Sequence, residues 1–286
     1  MRLTTRARAG LWVVCAAVLA FVYVPLGVIT INSFNSDRTF SWPPPSLTLK
    51  WWHLAAHAQG PRDALRTSIE AGVGATTLAL VLGTLLSFAL TRYRFFGSGT
   101  ISLLIVLPIA LPGIVTGVAL QSVIQNVLSP VFGISAGLFT IIVGHATFCI
   151  VVIFNNVTAR LRRFGASLEA ASADLGAHPL TTFRLVTFPL LRSALLAGAL
   201  LAFGLSFDEI VVTTFTAGPG SPTLPIWIFN NLFRPNQAPV VNVVAVVLVL
   251  VSILPVWAAQ RLGDNAAAES RLCRGCSTPG QPLEGH

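Results

Sequence analysis

The stretch Leu168–Leu191, LEAASADLGAHPLTTFRLVTFPLL, is a polar, helix-forming insert in an otherwise apolar chain. Read as a helix, residues 166–177 place Leu168, Ala171 and Leu175 on one strip, at i, i+3 and i+7. Glu169 and Asp174 fall off that strip. Ser167 is a candidate N-cap, and Gly176 followed by Pro179 is a stop signal. Helices that lie on a bilayer surface usually carry Lys or Arg on the polar face. This one carries acids, and its arginines (Arg160, Arg162, Arg163, Arg184, Arg192) lie before and after it. The segment reads as a short amphipathic helix that presents itself to something other than lipid.

Its surroundings are built for lipid. Of 286 residues 54% are hydrophobic and only 10% charged, with a mean hydropathy of +0.77. A soluble domain carries about 25% charged residues, so this chain cannot cover a water-facing surface. Six apolar runs each reach the roughly 20 residues a bilayer crossing needs: 11–31, 68–90, 101–124, 137–156, 190–212 and 239–256. The expectation is an all-α, polytopic membrane protein with six transmembrane helices. The charge-free stretch between Arg94 and Arg160 holds two of them around a short Gly/Pro turn.

The net charge of +8 does not point to nucleic acid, because the basic residues sit in loops between apolar runs. With six spans, Arg2, Arg6, Arg8, Arg92, Arg94, the five arginines around the insert, Arg261, Arg271 and Arg274 share one side. Arg38, Lys50, Arg62, Arg66 and Arg234 share the other. The positive-inside rule puts both termini and the insert in the cytoplasm. The first run exceeds the roughly 7–15 residues of a signal-peptide core and reads as a retained anchor. Residues 1–262 form a transmembrane permease-like domain, with core spans over 68–256, and residues 263–286 a polar, disordered tail. In the outer loop after the first run, SLTLKWWHLAAH reads as an interfacial helix with Trp51 and Trp52 at headgroup depth. Pro108 and Pro112 kink or interrupt the third run, and Gly72, Gly74, Gly83, Gly113, Gly117, Gly198 and Gly204 allow close helix approach; these positions read either as ordinary packing or as a hinge lining a pathway.

The chemistry-bearing motifs are absent. The single lysine, Lys50, lies outside any glycine-rich loop, so a P-loop is excluded, and neither H-E-x-x-H nor G-x-S-x-G occurs. No catalytic residue, nucleotide site, cofactor or metal is expected in this chain. Cys273 and Cys276 form one C-x-x-C with only His286 nearby, too few ligands for structural zinc. If the chain transports actively, its energy comes from a partner or an ion gradient. Asp208 and Glu209 close a charge-free run that begins at Ser193. Asp208 lies about 28 Å along a helix entering at Pro189, a depth where a charge must face protein or water. Two readings stand: the acids pair with Arg234, Arg66 or a partner subunit, or at least one faces a translocation path. Phe207, Phe215 and Trp227 are candidates to pack around an alkyl chain or to anchor at the interface.

The insert resembles the signature loop of permease subunits of binding-protein-dependent ABC importers: E-A-A, three residues, Gly, nine residues, Ile, one residue, Leu-Pro. From Gly176 the spacing is kept, with Val186 for the Ile, Phe188 for the Leu and Pro189 for the Pro. The motif's Glu position falls on Ala170, with Ala171 beside it, so Glu169 stands one residue early, a turn of about 100°. Further segments, INSFN, SLTLKWW, SFDEIVVTTFTAGPGSPTLPIWIF and NVVAVVL, are similar to the second permease subunit of spermidine/putrescine importers. The resemblance implies a type I importer permease fold in a bacterial cytoplasmic (inner) membrane. It implies a homologous permease partner, two ATPase subunits that bind the ATP and dock on 166–189, and an extracytoplasmic solute-binding protein. The implied cargo is a polyamine; organic acids, opines or phosphonates are alternatives within the class, and a gradient-driven carrier or a membrane scaffold are alternatives outside it.

Overall fold

Helices begin and end where proline, glycine and polar caps dictate. A computed structural model describes residues 4–38, 42–93, 95–234, 236–253 and 257–258. The order is α1 (Thr5–Asn32), α2 (Lys50–His57), α3 (Gln59–Arg92), α4 (Ser98–Ala110), α5 (Gly113–Phe132), α6 (Leu138–Phe164), α7 (Ser167–Asp174), α8 (Pro179–Phe207), α9 (Val211–Thr216), α10 (Leu224–Asn231) and α11 (Ala238–Ile253). Among the described residues there is no β-strand, only an isolated bridge between Asn35 and Leu47. Among the described residues five helices are long and apolar enough to cross a membrane, and α4 and α11 are shorter apolar helices. The third run is two helices rather than one: α4 contains Pro108 and ends at Ala110, and α5 starts after Pro112. The end of the sixth run, the tail 263–286 with Cys273, Cys276 and His286, and Arg2, Arg94, Arg261, Arg271 and Arg274 lie outside the described residues.

Contacts group the chain into two compact units. The first takes residues 1–66 and 222–251. Here α1 spans about 42 Å at 1.5 Å per residue, and residues 4–25 are all exposed, Trp12 and Phe21 among them. An apolar helix with no polar face and no buried face is one that lipid or another subunit must cover. The loop after it folds on Trp51. That ring is 5% exposed and its Nε1 donates to the Asn35 carbonyl at 2.7 Å. Trp51 is therefore the core of its own loop, not the headgroup anchor expected from sequence. Trp52 stacks on Phe34, with centroids 5.3 Å apart.

The second unit takes residues 67–221, with a segment from 252. Its centre is α6, whose buried side chains (Ile141, His145, Phe148, Ile153, Val157, Leu161) face neighbours on more than one side. Ala79 from α3, Leu191 and Ala202 from α8 and Val212 from α9 close this core. Helix α3 comes close because Gly83 has no side chain: a Cβ there would lie 2.9 Å from the Ile153 Cβ and 3.0 Å from the Ile150 carbonyl.

Two helices carry a π-helical turn, Ile124–Leu128 in α5 and Phe183–Thr187 in α8. Each closes on the residue immediately before a proline. Ser129 N–H bonds Ile124 O ahead of Pro130, and Phe188 N–H bonds Phe183 O ahead of Pro189. A proline ring clashes with the carbonyl four residues back; widening the turn to i−5 moves that carbonyl aside.

Candidate functional site

Two places in the second unit gather the residues singled out from sequence. The first is the gap between α8 and α9. Helix α8 stops with Asp208 as its C-cap, and α9 restarts at Val211. Neither glycine nor proline marks residues 208–210; side chains hold the gap open. Glu209 turns its carboxylate back to accept the Val212 N–H at 2.9 Å, satisfying a donor that the new helix leaves free. The Thr213 hydroxyl donates to the Glu209 carbonyl at 2.8 Å.

Behind the gap lies His145 of α6, with no solvent exposure. Its Nδ1 is 2.7 Å from Ser206 Oγ at the end of α8, and its Nε2 is 2.7 Å from Thr213 Oγ1 in α9. The chemistry of the partners orders this chain. Thr213 has one hydroxyl proton and donates it to Glu209, so it accepts from Nε2–H. Nδ1 is then the acceptor, and Ser206 donates to it. One buried imidazole thus ties together three helices and spans the break. Thr140 of α6 adds a second strap, donating to the Thr216 carbonyl at 2.8 Å.

The two acids consequently differ. Glu209 is partly buried and serves as a cap. Asp208 is exposed, and its carboxylate has no hydrogen-bond or ion-pair partner among the described residues. Phe207 is buried against Phe203, ring centroids 5.6 Å apart. Phe215 covers Gly117 of α5. Trp227 belongs to the other compact unit, with its Nε1 against Gly60.

The second place is α7 and its anchors. Ala166 is its N-cap without a side-chain hydrogen bond, so Ser167 is the first helical residue and not the cap expected from sequence. Gly176 ends it as expected, at φ +79°, where an L side chain is strained. Ala170, Ala171, Asp174 and Gly176 are exposed, as are Leu175 and Leu180. Glu169 points the other way. Its Oε2 lies 2.7 Å from Arg92 Nε at the end of α3, and its Oε1 accepts from Arg92 Nη2 at 3.1 Å. Thr187, in the π turn of α8, donates to the same Oε1 at 3.2 Å. Val186 lies in that turn, half-buried, and Pro189 is exposed just after it. No group of three or more potential metal ligands occurs among the described residues.

This arrangement of apolar helices around a short exposed helix and a broken span has known relatives. Residues 75–265 match the family described as binding-protein-dependent transport system inner membrane component. The chain belongs to this family. It is 33% identical over 250 residues to the spermidine/putrescine transport system permease protein PotC of Escherichia coli (strain K12), covering 87% of this chain and 92% of that one. It is 30% identical over 249 residues to the putative 2-aminoethylphosphonate transport system permease protein PhnV of Salmonella typhi, covering 87% and 91%. A bacterial ABC transporter that imports the acidic polysaccharide alginate superposes with a TM-score of 0.68 at 17% identity, over 91% of this permease and 99% of that chain. The fold is thus that of the ABC importer permeases, as the insert implied.

Sequence reasoning found the permease's acids and its insert but not His145, Ser206, Thr213, Arg92 or Thr187 as their supports. One signal was there: His145 is the lone imidazole in the charge-free stretch between Arg94 and Arg160.

Proposed function

We propose that this permease forms half of the translocation path of an ATP-driven importer whose cargo is a polyamine. The observation that carries the cargo is Asp208, an exposed carboxylate at a break in an apolar helix, without a counter-ion among the described residues. A charge placed among apolar helices is costly unless something answers it, and a passing ammonium group does so. Its relative PotC is named for spermidine and putrescine. Glu209 keeps the mouth of α9 in shape while Asp208 meets the cargo.

The permease lies in a bacterial cytoplasmic membrane as a multi-pass protein, with both termini and α7 inside. It pairs with a homologous permease and receives cargo from an extracytoplasmic solute-binding protein. Two ATPase subunits bind the nucleotide, for which this sequence holds no P-loop, and dock on the exposed face of 166–189. Nucleotide-driven closure pulls α7 and alternates the access of the path.

The test is ATP-dependent uptake of labelled spermidine by proteoliposomes holding the permease with its partner subunits. Asp208→Asn is expected to raise the half-saturating concentration about tenfold, the cost of one charge-assisted contact of about 1.4 kcal/mol or more. Glu209→Ala, which removes the acceptor of the Val212 N–H, is expected to lower the amount of folded protein instead. Unchanged uptake in Asp208→Asn overturns the assignment. PhnV supports a second reading, in which the same carboxylate takes the amino group of 2-aminoethylphosphonate. Competition between the two cargoes in that assay decides.

A further inference from the structure

The orientation of Glu169 changes what the insert can do. Helix α7 is eight residues long and is bounded by two glycines with positive φ, Gly165 at +65° and Gly176 at +79°. Such joints leave a short helix free to pivot unless side chains hold it. Arg92 supplies the hold. Its Nη2 donates both to the Gly165 carbonyl, at 3.0 Å, and to Glu169, while its Nε lies 2.7 Å from the other carboxylate oxygen as an ion pair without a hydrogen bond. The clasp is substantially shielded from solvent, with the Arg92 side chain 16% and the Glu169 side chain 25% exposed. Thr187 extends it to α8, and Ser172 Oγ lies 2.9 Å from Thr182 Oγ1 of the same helix. All these contacts leave from one face of α7. The opposite face, with Ala170, Ala171, Asp174 and Leu175, makes none of them and is exposed.

We infer that Glu169 is a positioning residue that locks α7 to α3 and α8, and not a contact for the motor subunit. This rests on the reading of α7 as the ATPase-docking element. The docking face is the exposed one, and Glu169, one residue before the motif position at Ala170 and about 100° round the helix from it, converts that face's displacement into movement of two spans. Without the clasp the helix still docks, but it swings on its glycines and the spans do not follow.

The experiment uses the assembled importer in proteoliposomes and reads two quantities, ATPase retained on purification and solute moved per ATP hydrolysed. Glu169→Gln and Arg92→Gln are expected to keep the ATPase bound while solute per ATP falls about fivefold or more, the scale of an ordinary coupling energy. The exchange Glu169→Arg with Arg92→Glu is expected to restore at least half of that ratio. Mere loss of folded protein lowers uptake and hydrolysis together and leaves the ratio unchanged, an outcome that overturns the inference. So does loss of the ATPase from Glu169→Gln, or failure of the exchange to restore coupling. Leu175→Glu, on the exposed face, tests the underlying reading separately: if the ATPase remains bound to that variant, α7 is not the docking element, whatever Glu169 does.

Discussion

His145 earns its place by what would be left behind without it. Its ring nitrogens satisfy two hydroxyls, Ser206 and Thr213, that are 2% and 0% exposed. A buried polar group stripped of its partner costs about 1–3 kcal/mol, more than the bond itself contributes net. His145→Phe, close in shape and unable to hydrogen-bond, is therefore expected to lower the thermal unfolding midpoint in detergent, with a loss of about 2 kcal/mol or more. Adding Ser206→Ala to that variant removes the one hydroxyl left without a partner, since Thr213 still donates to the Glu209 carbonyl, and should recover part of the loss, so the double variant melts above His145→Phe alone. Additive losses from His145→Phe and Ser206→Ala would mean that the pair carries no shared energy. The same reasoning explains why the supports were invisible in sequence. A histidine, a serine and a threonine separated by 61 and 68 positions form no motif; only packing brings them together. Glu169 is the converse case, since its offset from the motif was readable but its direction depended on where Arg92 lay.

Helices pack here by omission of side chains as much as by their presence. Gly83 of α3 and Gly198 of α8 approach α6 at the same residue: a Cβ at Gly83 would lie 2.9 Å from the Ile153 Cβ, and one at Gly198 3.1 Å from its Cδ1. Between apolar helices in lipid the hydrophobic effect offers no preference for one neighbour over another, so contact distance decides. Gly83→Ala meets a backbone carbonyl that cannot rotate away, and is expected to destabilise by about 1–3 kcal/mol. Gly198→Ala meets the far end of a flexible side chain and should cost less than half as much. Melting of the two purified variants checks the order; equal losses would remove backbone contact as the cause. The existence of these helices, the break at Pro108 and Pro112 and the stop at Gly176 were legible because proline, glycine and apolar runs act locally, but their ends were not: α3 covers Gln59–Arg92 where the apolar run is 68–90, and the run 190–212 is broken after Phe207. Which face of each helix packs was not legible, because a span that is apolar all round has no hydrophobic periodicity to read. The π turns before Pro130 and Pro189 escaped for a related reason: proline announces a disturbance, not which carbonyl will accommodate it.

On the scale of the molecule, the contacts within the second unit constrain its topology without reference to charge. Arg92, at the end of α3, holds the Gly165 carbonyl and Glu169, so the α3–α4 connection and α7 lie on the same side of the membrane. The chain between them, α4 with α5 and then α6, must cross an even number of times, and two crossings fit its length. At the other end the Gly218 backbone packs on Ala136 and Gly137, which puts the α5–α6 and α9–α10 connections together on the opposite side. The distribution of arginine gives the same partition from independent physics, since it concerns insertion and not packing. The partition is open to direct labelling. In a background with Cys15, Cys149, Cys273 and Cys276 replaced, Phe96→Cys, at a fully exposed residue after α3, should react with a membrane-impermeant maleimide only after spheroplasts are permeabilised. Leu47→Cys, 71% exposed in the loop after α1, should react in intact spheroplasts. Reaction of both from the same side would break the odd number of crossings between them and the six-span architecture with it. Reversal of the two would keep the architecture but move α7 outside, where no ATP-driven subunit could reach it.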